Sequence, residues 1–144
     1  MSDFAPANAV TRLYEGAQGR DWVAGHWEEF VAIHASDVIV EARTAAGQRY
    51  QVQGRDAAVA EARSLSEVGL RHLTMEPLAV HGDRLALIRW VNWADETEHG
   101  GGPASVEQVV VVEADADGDV ASVVIFEPDD AELAWAEFER RVSG

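Results

Sequence analysis

Two runs in the last third of this 144-residue chain, Val109-Val110-Val111-Val112 and Val123-Val124-Ile125-Phe126, are apolar at every position. Asp117-Gly118 between them suits a tight turn, so the runs are expected to pair as an antiparallel hairpin. Successive strand residues point to opposite faces, and a sheet with one wet face would alternate apolar with polar residues. Both faces of this hairpin must therefore be covered. One cover is expected to be the chain's own helices. The other is expected to be a second subunit, in a homodimer through Val109, Val111, Val124 and Phe126, because an exposed patch of that kind invites aggregation.

The remaining pattern sets the fold class. Val10, Leu13, Tyr14 and Ala17 recur at helical spacing and predict a first helix from about Asn8 to Gln18. Asp21 is suited to cap a second helix, with Trp22, Val23, Trp27, Phe30 and Ile33 as its apolar residues. Asp37 to Arg43 and Tyr50 to Gln53 read as strands around a turn at Gly47. Gly54-Arg55-Asp56 opens an alanine-rich third helix ending near Gly69. Four strands follow, at about Leu70–Val80, Arg84–Trp93, Ser105–Glu113 and Asp119–Glu127. A glycine-rich loop spans Ala94 to Ala104. Asp129 and Asp130 then cap a final helix whose apolar residues are Leu133, Trp135, Phe138 and Val142. Strands gathered late in the chain, in ααββαββββα order, predict an α+β fold with a mostly antiparallel sheet.

Composition excludes several chemistries. Eleven basic against 26 acidic residues give a formal charge of −15, which repels nucleic acid and anionic membranes. Every basic residue is arginine, so there is no lysine for a Schiff base or a phosphate loop. Cysteine is also absent, which removes disulfides, thiolate nucleophiles and thiolate metal sites. His26, His34, His81 and His99 follow no metal-ligand spacing. A calcium loop starting at Asp115 would place Phe126 where a bidentate glutamate is needed. No metal or cofactor is expected. Met1-Ser2-Asp3-Phe4-Ala5-Pro6 has neither the basic nor the apolar segment of a secretory signal, and no apolar run is long enough to span a membrane, so the expected location is cytoplasmic.

The element order, with the Gly54-Arg55-Asp56-Ala57 helix start, resembles the nuclear transport factor 2-like superfamily of cone-shaped α+β barrels. Gly82-Asp83-Arg84-Leu85-Ala86-Leu87 and the ending Phe126-Glu127-Pro128-Asp129-Asp130 are most similar to its SnoaL-like domains. The resemblance covers nearly the whole chain and implies one domain over residues 1–144. It also implies a small-molecule pocket protein: a cofactor-free isomerase, cyclase or dehydratase acting on an apolar oxygenated ring compound, or a non-catalytic ligand-binding or dimerisation module. The superfamily's carboxylates are missing where they would be matched. Ala42 follows Val40-Glu41 where the ketosteroid isomerases have their base. Arg89-Trp90-Val91 and Ile125 stand where the epoxide hydrolases have aspartates. Arg71-His72 matches the histidine of the dehydratases, Gln18 stands in place of its acidic partner, and Leu13, beside Tyr14, in place of their tyrosine.

Hairpin register supplies candidate site residues independently. If Gly82-Asp83 is a two-residue turn, His81 faces Arg84. Counting back then pairs Leu78 with Leu87, Glu76 with Arg89, Thr74 with Val91 and His72 with Trp93. Met75, Ile88 and Trp90 fall on the opposite face. The resemblance to epoxide hydrolases places Arg89 on the concave side. Glu76–Arg89 is then either a structural ion pair, worth about 0.2–1 kcal/mol, or a pocket pair in which Arg89 holds a substrate oxygen. His72 is expected to be a neutral base, or else a hydrogen-bonded sheet histidine. Tyr14 and Arg89 are candidate oxyanion holders and Trp93 a wall residue, although Tyr14 also suits the core. Gln18, Glu41, Glu76 and Gln108 complete the expected ligand-binding set, with Glu41 the carboxylate that could serve His72.

Overall fold

The structure is a computed structural model and describes residues 7–15, 32–43, 49–67, 72–94 and 104–143. The expected second helix and Gln18 lie outside them, as does most of the glycine-rich loop. Helix α1 (Ala9–Glu15) starts where sequence reasoning put it. Its cap is reciprocal: Asn8 Oδ1 accepts from Thr11 N at 3.1 Å, and Thr11 Oγ1 accepts from Asn8 N at 2.9 Å. The Asn8 amide also donates to the carbonyls of Gly82 at 3.0 Å and Leu85 at 2.9 Å. One buried side chain thus starts the helix and pins it to a turn of the sheet.

The strands are β1 (His34–Arg43), β2 (Arg49–Gln53), β3 (His72–His81), β4 (Leu85–Ala94), β5 (Ala104–Ala114) and β6 (Val120–Phe126). Helix α2 (Arg55–Glu67) follows β2, and helix α3 (Ala131–Ser143) follows β6 through a 3₁₀ turn at Pro128–Asp130. The six strands form one curved, unclosed sheet in the order β2-β1-β6-β5-β4-β3. All pairs are antiparallel except β1–β6. This is the α+β architecture expected from the element order.

The β3–β4 register is as expected at one end and not at the other. His72 pairs with Trp93, Thr74 with Val91 and Glu76 with Arg89. Beyond Pro77 the strand bulges at Leu78, so that Leu87 faces Ala79, and His81 faces Leu85 rather than Arg84. Pro77 cannot donate to the ladder, and proline within a sheet favours bulges. The extra residue lengthens the turn to Gly82-Asp83-Arg84 and leaves the Glu76–Arg89 pairing intact.

The sheet separates two cores. On the inner side, Val38, Ala86, Ile88, Val110, Val112, Val120 and Val123 pack with Val10 of α1 and Ala58 of α2. On the outer side, Leu85, Leu87, Val109, Val111, Val124 and Phe126 pack with Ala134 and Phe138 of α3. This corrects two expectations. The outer face of the last hairpin is covered by the chain's own C-terminal helix, not by a second subunit. The helix also seats a different face: Ala134 and Phe138 are buried, whereas Leu133, Trp135 and Val142 are 50%, 40% and 38% exposed. Alanine at the contact lets the helix axis approach the valine-rich sheet closely, which larger side chains would prevent.

Candidate functional site

Along β4 and β5, burial on the inner face falls from complete to partial. Cross-strand rows follow from the register. One row runs Val123–Val112–Ala86–Val80 and the next Ile125–Val110–Ile88–Pro77. Val110, Val112, Ala86 and Ile88 are fully buried. The next row is Gln108–Trp90–Met75, across β5, β4 and β3, and all three residues are half-buried. Beyond it on β5, Val106 is 40% exposed. Strand β6 ends at Phe126, opposite Val109, so it does not flank Gln108. Among the described residues of β5 and β6, Gln108 is the one polar side chain on the inner face; on β4 the inner alternation continues past Trp90 to Asn92, one row further out. The row is thus an apolar wall, indole beside thioether, with a single amide at its edge.

Of the expected site residues, Gln108 is the one the structure places on this wall. Arg89 lies between Ile88 and Trp90 on β4 and opposite Val109, whose side chain belongs to the outer core, so Arg89 faces outward. The pairing with Glu76 was legible, but the facing is reversed. The partner also differs. Arg89 Nη2 donates to Glu107 Oε1 at 2.7 Å, while Nη1 stands 3.8 Å from Glu76 Oε1. The bond to Glu107 raises the guanidinium pKa and lowers that of the carboxyl. Arg89 and Glu76 are 42% and 63% exposed, so this is a surface ion pair and not a pocket pair.

Glu41 is also outward. It pairs with Val124 of the outer core and accepts from Arg43 Nε at 2.8 Å and Nη2 at 3.2 Å. It therefore belongs to an ionic cluster that sequence reasoning missed. At its centre is Glu137 of α3, 6% exposed. Its carboxylate accepts from Arg43 Nη1 at 2.8 Å, from Arg141 Nε at 2.7 Å and from both Nε and Nη2 of Arg140. Arg141 Nη1 extends the cluster to Glu113 at 2.7 Å and Ser122 Oγ at 3.1 Å. Arg43 also stacks 5.8 Å from the Phe126 ring centroid. Burial disfavours the charge on Glu137, but the bonds from Arg140, Arg141 and Arg43 outweigh it and hold the carboxyl down to about 2. Glu41 first, and Glu137 with it, raise the Arg43 pKa against the opposing effect of burial. The i+3 and i+4 spacing of Arg140 and Arg141 hinted at part of this; nothing local pointed to Arg43.

His72 and Trp93 pair at the ends of β3 and β4, and Tyr14 lies in α1, but the side chains of all three are outside the described residues. With Arg89 outward, no described contact brings His72 or Trp93 to the inner face. Asp115 Oδ1 accepts from the backbone of Asp117 at 2.9 Å and Asp119 at 3.1 Å, the role of a turn former. Among the described residues no group of three acidic or histidine side chains could hold a metal ion, and no helix is long and apolar enough to cross a membrane.

The sequence matches the family model of the SnoaL-like domain over residues 10–123. This chain belongs to that family. Solved structures agree with the SnoaL-like assignment at the level of the fold. A protein of unknown function with a cystatin-like fold from Methylobium petroleophilum PM1 has a TM-score of 0.60 at 15% identity, covering 87% of this chain and 80% of its own. Delta 5-3-ketosteroid isomerase from Mycobacterium sp. has a TM-score of 0.57 at 16% identity, covering 87% and 97%. RV0760c from Mycobacterium tuberculosis, in complex with estradiol-17beta-hemisuccinate, has a TM-score of 0.55 at 16% identity, covering 81% and 88%. A search of curated proteins finds no match to the sequence. The SnoaL-like sheet described above is the nuclear transport factor 2-like cone.

Proposed function

We propose that this SnoaL-like domain binds a small, apolar, oxygenated ring compound against the inner face of its sheet, on the wall formed by Met75, Trp90 and Gln108. The observation that carries this reading is the step in burial between adjacent rows: Ile88 and Val110 are fully buried, whereas Trp90 and Gln108, one row along, are not. A concave apolar surface with one placed polar group is the usual composition of a small-molecule site. Two proteins of the same fold, the ketosteroid isomerase and the estradiol-hemisuccinate complex, are by name proteins of ring compounds, which supports the ligand class.

In its enzymatic form the reading is a cofactor-free isomerisation, cyclisation or dehydration. Tyr14 holds the developing oxyanion, whereas His72 and Trp93 alternate onto the same strand face as Glu76 and Arg89 and have no place on the inner wall. Arg89, Glu41 and Glu76 have no part in it. The inner face favours binding without chemistry, because the amide of Gln108 neither gains nor loses a proton near neutral pH. A homodimer and a cytoplasmic location belong to the same proposal, with the dimer contact away from the outer face that α3 covers.

The test is fluorescence titration of the full chain with fused-ring ketones and alcohols. Saturable binding that weakens at least about tenfold in Trp90→Ala is the expected result, from loss of the buried aromatic contact. No saturable binding by any ring compound would overturn the proposal. Turnover lost in Tyr14→Phe but kept in His72→Ala supports the enzymatic form. Equal, small effects of both leave binding alone.

A further inference from the structure

We infer that Gln108 selects the charge state of the ligand: the oxygen at the ligand's inner end is an uncharged carbonyl or hydroxyl, and a carboxylate is excluded there. The inference rests on the ligand-binding reading above and sharpens it. Its starting point is depth. Ile88 and Val110 are fully buried, so a molecule lying along β4 and β5 on the inner face stops at the Met75–Trp90–Gln108 row. The end that arrives first meets the Gln108 amide at the edge of an indole and a thioether. An amide offers one carbonyl oxygen and two N–H donors, so it can donate to a ketone or accept from a hydroxyl with equal ease.

A carboxylate at the same position would need more than a neutral donor. Removing its charge from water costs far more than removing a neutral oxygen, unless a cation or several donors replace the hydration. Of the seven arginines with described side chains, four are already paired with carboxylates, and Arg12 and Arg84 are exposed, on α1 and in the β3–β4 turn. Arg43, Arg89 and Arg141 are engaged with carboxylates on the outer side of the sheet, and Arg140 with Glu137 of α3. Arg55 Nε donates to the His34 carbonyl at 3.0 Å. The formal charge of −15 on the whole chain adds a long-range penalty for any anion.

The experiment uses matched pairs in which a ketone and a carboxylate occupy the same position on naphthalene, phenanthrene and a steroid skeleton. Binding to the full chain is measured by calorimetry at pH 7. The ketone is expected to bind at least about tenfold more tightly than its carboxylate partner within each pair that binds. Gln108→Leu should cost the ketone about tenfold and bring it close to the unsubstituted ring. Gln108→Arg should reverse the preference by supplying the missing cation. Gln108 is only half-buried, and thermal denaturation verifies that each variant folds. Equal affinities within the wild-type pairs, or a preference that survives in Gln108→Leu, would overturn the inference and leave the pocket standing. No binding by any member of the panel would overturn both.

Discussion

Replacing Glu137 tests how α3 is fastened to the outer face of the sheet. In Glu137→Ala the guanidinium groups of Arg43, Arg140 and Arg141 lose their common acceptor. Removing one member of a fully buried ion pair costs about 3–5 kcal/mol, because it strands the other charge. Here Arg43 keeps Glu41 and Arg141 keeps Glu113, and the two arginines are 24% and 16% exposed. The expected loss is therefore smaller, about 2 kcal/mol. For a chain of this size that corresponds to a fall in Tm of about 4–8 °C. Glu137→Gln keeps the shape and one acceptor, and should fall between wild type and alanine. The pH dependence carries a sign. The Glu137 carboxyl is held down to about 2 in the fold, so between that value and the ordinary range near 4.5 the unfolded chain binds the extra proton. This stabilisation is complete at neutral pH and is lost as pH falls from about 4.5 towards 2. Urea unfolding of wild type and Glu137→Gln at pH 7 and pH 2.5, followed by circular dichroism, reads the difference directly. The stability gap should narrow at the lower pH. A gap below about 0.5 kcal/mol at pH 7, or one unchanged at pH 2.5, would refute the account of the cluster as a fastening.

Three further outcomes follow from the described contacts. Asn8→Ala removes a helix cap and two bonds to the Gly82–Leu85 turn, and should cost about 2–3 kcal/mol in chemical unfolding. Phe138→Ala should cost about 3 kcal/mol by unfolding and uncover the outer apolar face, which light scattering would register as new self-association. Arg89→Ala should leave both Tm and ring-compound binding unchanged, since its partners Glu76 and Glu107 share its exposed position; a loss of binding there would return Arg89 to the site.

The strand register was largely legible and the facing was not. Counting back from an assumed two-residue turn pairs His72 with Trp93 and Glu76 with Arg89 because the longer Gly82-Asp83-Arg84 turn and the bulge after Pro77 offset each other. Which face turns inward depends on what covers each side, and here both sides are apolar: Ala86, Ile88 and Val110 on one, Leu85, Leu87 and Val109 on the other. Position along each strand does not distinguish them. The final helix posed the same difficulty. Leu133, Trp135 and Val142 outweigh Ala134 in hydrophobicity, yet the sheet takes Ala134 and Phe138, with Glu137 made tolerable by arginines from α3 itself and from Arg43. That last contact spans 94 residues, a separation over which no local pattern carries information. Asn8 could have been read more fully, since an asparagine before a helix with threonine three residues on is a capping pattern.

The position of β6 has a consequence for how the chain assembles. This strand, Val120–Phe126, lies in the interior of the sheet, with β1 on one side and β5 on the other. On a ribosome, β1 and β2 emerge first and β3 to β5 next, and neither group can join the other until residue 126 is clear of the exit tunnel. The sheet therefore closes from its middle, once β6 has emerged, by a parallel pairing between segments about 80 residues apart in sequence. Such pairings are slow to form, and the valine-rich edge of β5 waits unpaired in the meantime. Val109 to Val112 is thus the segment most in need of protection while the nascent chain is incomplete.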